Sequence, residues 1–220
     1  MSRSILPLLG AVFWGSFIAA QEPLFREDQL YLGAGVLIAN ANQAAFSQTD
    51  FSGQLQLGFI RDFPLTNDSR WALGLGLGYD YRSLVSNLEI VLNPNTAQPE
   101  RLQWNRSNNS LQGFRQSRIV IPLELRWRTA TLESDAFWRV HSGVKCSYIY
   151  RNRFQSLSAT DFESFVDPWQ FSAHLVAGFN TWNFYVEVDL LPWLKPDFPN
   201  PANNDLQLQT LQLGVLFYFL

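Results

Sequence analysis

"SRIVIPLELRWR", residues 117–128, is apolar at every second position from Ile119: Ile119, Ile121, Leu123, Leu125 and Trp127. Between them stand Arg118, Val120, Pro122, Glu124, Arg126 and Arg128. A period of two marks a β-strand whose two faces meet different surroundings. One face is wholly hydrophobic. The other carries charges and a proline, and the fold must give that face somewhere to go.

The same alternation recurs along the chain. It predicts strands over Gln29–Asn40, Phe51–Phe63, Trp71–Arg82, Ser117–Arg128, Phe137–Arg151, Trp169–Phe179, Trp182–Leu190 and Leu206–Leu220. In "WALGLGLGYDYR" (71–82), Trp71, Leu73, Leu75, Leu77, Tyr79 and Tyr81 form the apolar face, and glycines, Asp80 and Arg82 the other. In the fifth strand Arg139, His141, Lys145 and Arg151 fall on the mixed face. His174 does so in the sixth, and Glu187 and Asp189 in the seventh.

Composition says which face meets what. Aromatics make up 15% of the 220 residues and charged residues only 16%, below the usual charged share of about 25%. Mean hydropathy is nonetheless −0.07, because alternating strands average out. That combination fits a membrane β-barrel with apolar faces toward lipid and mixed faces toward the lumen. After residue 20 no apolar run is long enough to cross a membrane as a helix. The net charge of −3 argues against nucleic acid, whose binders carry a basic patch. The lone Cys146 permits no intrachain disulfide, and with two histidines it is too little for a conventional zinc site. No cofactor is expected.

The first twenty residues read as a secretory leader. Arg3 precedes an apolar run from Ile5 to Ile18, and Ala19 and Ala20 close it, so cleavage after Ala20 is expected. Residues 21–220 then form one outer-membrane barrel domain. Its connections alternate between short turns and longer loops, the outer-membrane pattern with long loops outside. Aromatics flanking the short turns (Phe63, Trp71, Trp127, Trp138, Phe179, Trp182) and those nearer the long loops (Phe51, Tyr79, Tyr148, Trp169, Phe171) fall into two belts. Membrane interfaces favour such rings.

"WALGLGLGYDY", together with "IPLELRWR" followed by "WRVHSGVKCSYIYR" and a leader ending in "AAQ", resembles the PorT-like outer-membrane β-barrel family, common in Bacteroidetes. The resemblance spans most of the chain after the leader. It implies an outer-membrane barrel and, through the member that names the family, a part in type IX protein secretion.

About eight strands enclose an interior just filled by side chains, so a sealed polar core is expected. Its members are Arg118, Glu124, Arg126, Arg139, His141, Lys145, His174, Glu187 and Asp189. Aligning aromatics across the short turns predicts two registers. Trp127 opposite Trp138 brings Glu124 to His141 and Pro122 to Gly143, while Phe179 opposite Trp182 brings His174 to Glu187 and Ser172 to Asp189. Pro122 calls for a bulge or a lost ladder bond, with Gly143 giving it room. A catalytic use of the histidines is disfavoured. His141 and the adjacent Ser142 point to opposite faces, and His174 and Ser172 face the lumen without an evident oxyanion donor.

Binding is expected of the loops. Leu191 to Asp205 is proline-rich and offers Trp193 and Phe198, either as exposed anchors or folded back on the rim. "ATDFESFVD" adds Asp161, Glu163 and Asp167, but the spacing matches no calcium loop. Three functions remain: a structural or docking component of the envelope working beside outer-membrane lipid and other envelope or secretion proteins, a narrow solute pore, and a lipid-modifying enzyme. The first is preferred, and enzymatic activity is not expected.

Overall fold

In a computed structural model the chain closes into an eight-stranded antiparallel barrel. The structure describes residues 28–93, 95, 99–104, 112–129, 136–154, 166–195 and 206–219. Residues 1–20, expected to be a leader, and Phe198 lie outside that set, as do Asp161 and Glu163. The wall consists of β1 (Gln29–Ala41), β2 (Gly53–Pro64), β3 (Trp71–Ser86), β6 (Gln112–Arg128), β7 (Trp138–Phe154), β8 (Trp169–Phe179), β9 (Trp182–Asp189) and β10 (Leu208–Phe219), closed in the order β1-β10-β9-β8-β7-β6-β3-β2. The "NLEIVLN" and "ERLQWN" segments supply β4 (Leu88–Leu92) and β5 (Pro99–Trp104), which pair as a separate hairpin beyond the end of β3.

The two faces sort as the alternation requires. Along β8 the burial pattern is strictly alternate, with Trp169, Phe171 and Leu175 exposed and Gln170, Ser172 and His174 buried. Exposed apolar side chains ring the whole barrel, from Leu30 and Leu32 in β1 to Leu213 and Phe219 in β10. In water such a surface would aggregate; in a bilayer it is the solvated one. Aromatics level out near both ends. Trp71 pairs with Trp127 and Trp138 with Phe179 near the short turns, and Tyr79, Ile119, Tyr148 and Trp169 form one cross-strand row near the long loops.

The turn between β8 and β9 is Asn180–Thr181, with Asn180 at φ 53°; asparagine tolerates that left-handed geometry better than most residues. Phe179 pairs with Trp182, so His174 lies opposite Glu187 and Ser172 opposite Asp189, as expected. The β6–β7 register differs from expectation. Trp127 pairs with Val140 rather than Trp138, so His141 lies opposite Arg126, Glu124 opposite Gly143 and Pro122 opposite Lys145. Barrel strands are tilted and staggered, so belt aromatics on neighbouring strands need not be direct partners; Trp138 instead packs on Phe179, ring centroids 5.3 Å apart. A slip of two residues keeps every side chain on its own face, and only an odd slip would turn them over.

Such an odd step does occur higher on the same pair. Ser117 pairs with Arg151 and Arg118 with Ile149, leaving Tyr150 as the extra residue of a bulge. Beyond it Arg151 is exposed on the outer face, a correction to the lumen position that unbroken alternation assigns it.

Pro122 produces no bulge. The β3–β6 ladder keeps one register on both sides but skips the Gly76–Pro122 and Leu77–Ile121 positions, at the place where proline has no N–H to give. The residue that makes room is Gly76, not Gly143. A Cβ on Gly76 would lie 2.4 Å from the Phe59 carbonyl oxygen and 3.0 Å from Pro122 Cγ. Gly76→Val should therefore destabilise the barrel by about 1–3 kcal/mol, read as a lower urea midpoint in lipid vesicles. An unchanged midpoint would mean that the wall can spread there. The glycines of β3 also berth a tyrosine. Gly58 and Gly78 are neighbours across β2 and β3, and Tyr31 lies over both; a Cβ on Gly78 would meet its hydroxyl at 2.1 Å.

Candidate functional site

Inward positions of eight strands converge on a narrow interior, so long side chains reach across it. β3 and β9 lie four places apart in the eight-strand order, diametrically opposite. Arg82 of β3 spans that distance. Its guanidinium donates to Asp189 at 2.8 Å and to Glu187, and sits 3.5 Å from Asp80. Arg118 pairs with Asp80, and Lys145 donates to Glu187 at 2.6 Å and to Gln56 of β2 at 2.9 Å. Ser172 donates to Glu187 at 2.9 Å, and Gln54 to Asp80 at 2.6 Å. Three cations (Arg82, Arg118, Lys145) thus meet three carboxylates (Asp80, Glu187, Asp189), all buried. Buried charges are tolerated when paired and hydrogen-bonded in this way.

A second layer lies toward the short turns. Asp62 is shared by Arg126 and Arg128, and Arg126 also reaches Gln29 of β1. Glu124 accepts from His174 Nε2 at 2.9 Å, with Arg126 Nε at 3.5 Å and His141 Nδ1 at 3.8 Å. His141 also lies 3.3 Å from the Tyr218 hydroxyl. Arg139 closes this end, donating to the Asn180 carbonyl at 2.9 Å and stacking over Phe137 at 4.6 Å.

Every predicted lumen residue is buried inside the barrel, but the pairings differ from those expected. His174 lies beside Glu187 along the wall, yet its side chain turns to Glu124, so both histidines gather round one glutamate. Glu187 serves Arg82, Lys145 and Ser172 instead. Cross-strand pairing predicts neighbours on the wall; it does not predict reach across a narrow lumen. The connecting residues Asp62, Asp80, Arg82 and Arg128 were missing from the predicted network. The signal was present, since alternation points each of them inward and each buried charge needs an opposite.

Above Arg82 the inner wall turns apolar. Leu37, Leu84, Phe114, Ile149 and Leu208 face inward and pack with Val166, Leu194 and Trp193 into one buried cluster. Trp193 is a correction to the exposed-anchor alternative. It is 1% exposed, folded into the mouth, and its indole Nε1 donates to Asp189 at 2.7 Å. An indole can be buried when its N–H finds an acceptor, and the topmost lumen carboxylate provides one.

Between the charged layers remains a cavity of about 10 Å³, lined by Tyr31, Lys145, His174, Tyr185 and others. That is about the smallest space that admits one water. Among the described residues no group of three or more His, Cys, Asp and Glu side chains is placed to hold a metal ion.

The family model described as "Outer membrane protein beta-barrel domain" matches residues 19–193. The chain belongs to that family. With the closed barrel and its lipid-facing exterior, this makes it an integral outer-membrane protein. No curated protein matches the chain. Among solved structures, the NanC porin in a rhombohedral crystal form is similar over 87% of this chain and 99% of that one, at 11% identity and a TM-score of 0.23. A likeness that slight does not bear on what this barrel does.

Proposed function

We propose that this family member is a sealed barrel that serves the envelope as a structural or docking component, with neither a solute path nor a catalytic site. The filled lumen carries the reading. Arg82 ties opposite walls, Trp193 and its neighbours stop the outer mouth, and about 10 Å³ is left between. A pore would need water-filled continuity, and an enzyme would need room for substrate beside His141 or His174. Both histidines are packed against Glu124 instead. Work is then left to the outer loops and the lipid-facing wall. The narrower reading, docking within a type IX-type secretion assembly, rests on the likeness of the strands around 118–151 to PorT-like barrels.

Planar-bilayer recording tests the seal. The wild-type barrel should give no stepwise conductance in molar salt, and reproducible unitary steps would overturn the sealed reading. Gentle-detergent purification tests the assembly. Recovery of secretion-machine subunits supports docking there, and their absence removes that narrower role.

A further inference from the structure

The bulge at Tyr150 has a chemical consequence on the outer wall. It turns Arg151 and Arg153 to the exterior of β7, where Arg151 lies opposite Ser117 and Arg153 opposite Arg115, and all three arginines are exposed. Arg151 and Arg153 form no ion pair with another described residue. Their level is informative. Tyr148 and Trp169, with ring centroids 5.1 Å apart, belong to the aromatic belt on the long-loop side, and Ser117–Arg151 lies one same-face step above the Ile119–Tyr148 pair, about 7 Å at the usual rise per strand residue. The arginines therefore stand where outer-leaflet headgroups begin.

Directly below them the wall is hollowed. Cys146, small and half-buried, sits between Ile121 and Phe171 in its cross-strand row. With Ile119, Ile121, Tyr148 and Trp169 it lines an open apolar groove of about 320 Å³, within the size range of small-ligand sites. A groove for hydrocarbon lies under a cationic row, at the depth where a membrane lipid presents the matching parts.

We propose that this face binds a phosphorylated glycolipid of the outer leaflet, with its phosphate on Arg151 and Arg153 and an acyl chain in the groove over Cys146. Guanidinium groups bind phosphate through paired, charge-assisted hydrogen bonds. The long arginine stems lie along the aromatic belt while their heads stay at the polar level. The site lies on the lipid-facing wall and does not depend on whether the lumen is sealed or what the loops dock.

The test uses the full barrel in detergent micelles, titrated with lipid A, with lipid A stripped of phosphate, and with phosphatidylglycerol, and read as bound lipid by native mass spectrometry. Intact lipid A should bind at least tenfold more tightly than either of the others. The double variant Arg151→Gln/Arg153→Gln should lose at least tenfold in lipid A affinity. Cys146→Phe, which fills the groove, should weaken lipid A several-fold while phosphate dependence persists. Equal retention of the stripped lipid overturns the phosphate site. Equal retention of phosphatidylglycerol overturns the glycolipid assignment. A double variant that folds, shown by heat-modifiable gel mobility, and binds lipid A normally overturns the role of the arginines. The three-lipid comparison on the wild-type barrel stands even if a variant fails to fold.

Discussion

Replacing Arg82 by methionine should destabilise the folded barrel by about 3–5 kcal/mol, the usual cost of removing one partner from a buried ion-pair network. The residue is fully buried, holds Asp189 and Glu187 of the opposite wall and sits 3.5 Å from Asp80 on its own strand. Methionine nearly fills the volume but leaves three carboxylates to two cations, Arg118 and Lys145. Asp189 loses most, because its other partners, Thr210 and the Trp193 indole, are neutral donors. Adding Asp189→Asn should recover part of the loss, since the Asp80–Arg118 and Glu187–Lys145 pairs then remain balanced. Couplings between touching residues run to about 0.5–3 kcal/mol. Urea unfolding in lipid vesicles, followed by tryptophan fluorescence and by gel mobility, measures both. A single variant within about 0.5 kcal/mol of wild type, the usual range for an uninvolved surface substitution, would show that Arg82 does not brace the lumen.

Trp193→Ala should cost a similar amount, about 3–5 kcal/mol, but in a different place. Trp193 is held among Leu84, Phe114 and Leu208 in the outer mouth, above the charged layers. Its backbone is tied as well, the N–H donating to Leu208 and the carbonyl accepting from Asp167. The truncation leaves a cavity in this cap and removes one donor from Asp189. Local unfolding free energies differ across a structure, and in this variant the cap is expected to open before the wall. The expected signature is faster proteolysis within residues 191–205 while the barrel still shows heat-modifiable migration. Trp193→Phe keeps most of the packing and should show a smaller effect, set by the lost indole bond to Asp189. Proteolysis unchanged by the alanine substitution would mean that the loop is held elsewhere.

Much of the barrel is legible in the sequence alone. Strict period-two patterning in segments such as 117–128 and 169–179 assigned each side chain to lipid or lumen, and all eight wall strands form where it placed them. It also put Arg118, Glu124, Arg126, Arg139, His141, Lys145, His174, Glu187 and Asp189 inside. The parity of a strand is a local property, so a sequence carries it unaided. The Asn180–Thr181 turn was short enough to set its own register, and both pairings read from it hold.

What failed was whatever depends on the barrel closing. Stagger set Trp127 against Val140 instead of Trp138. The extra residue at Tyr150 reversed parity and carried Arg151 outward, and nothing in "SYIYR" marks that step locally. The width of the lumen sent His174 to Glu124 and Arg82 to Asp189, because side chains long enough to cross a narrow interior choose partners by charge, not by adjacency. Trp193 became a stopper because the wall beneath it is apolar on its inner face and Asp189 offers an acceptor. By itself the sequence determined which face of each strand meets lipid, through alternation that any neighbour would satisfy. Only the closed structure decided which inward charges touch, since contact across a barrel depends on strand order, stagger and diameter together.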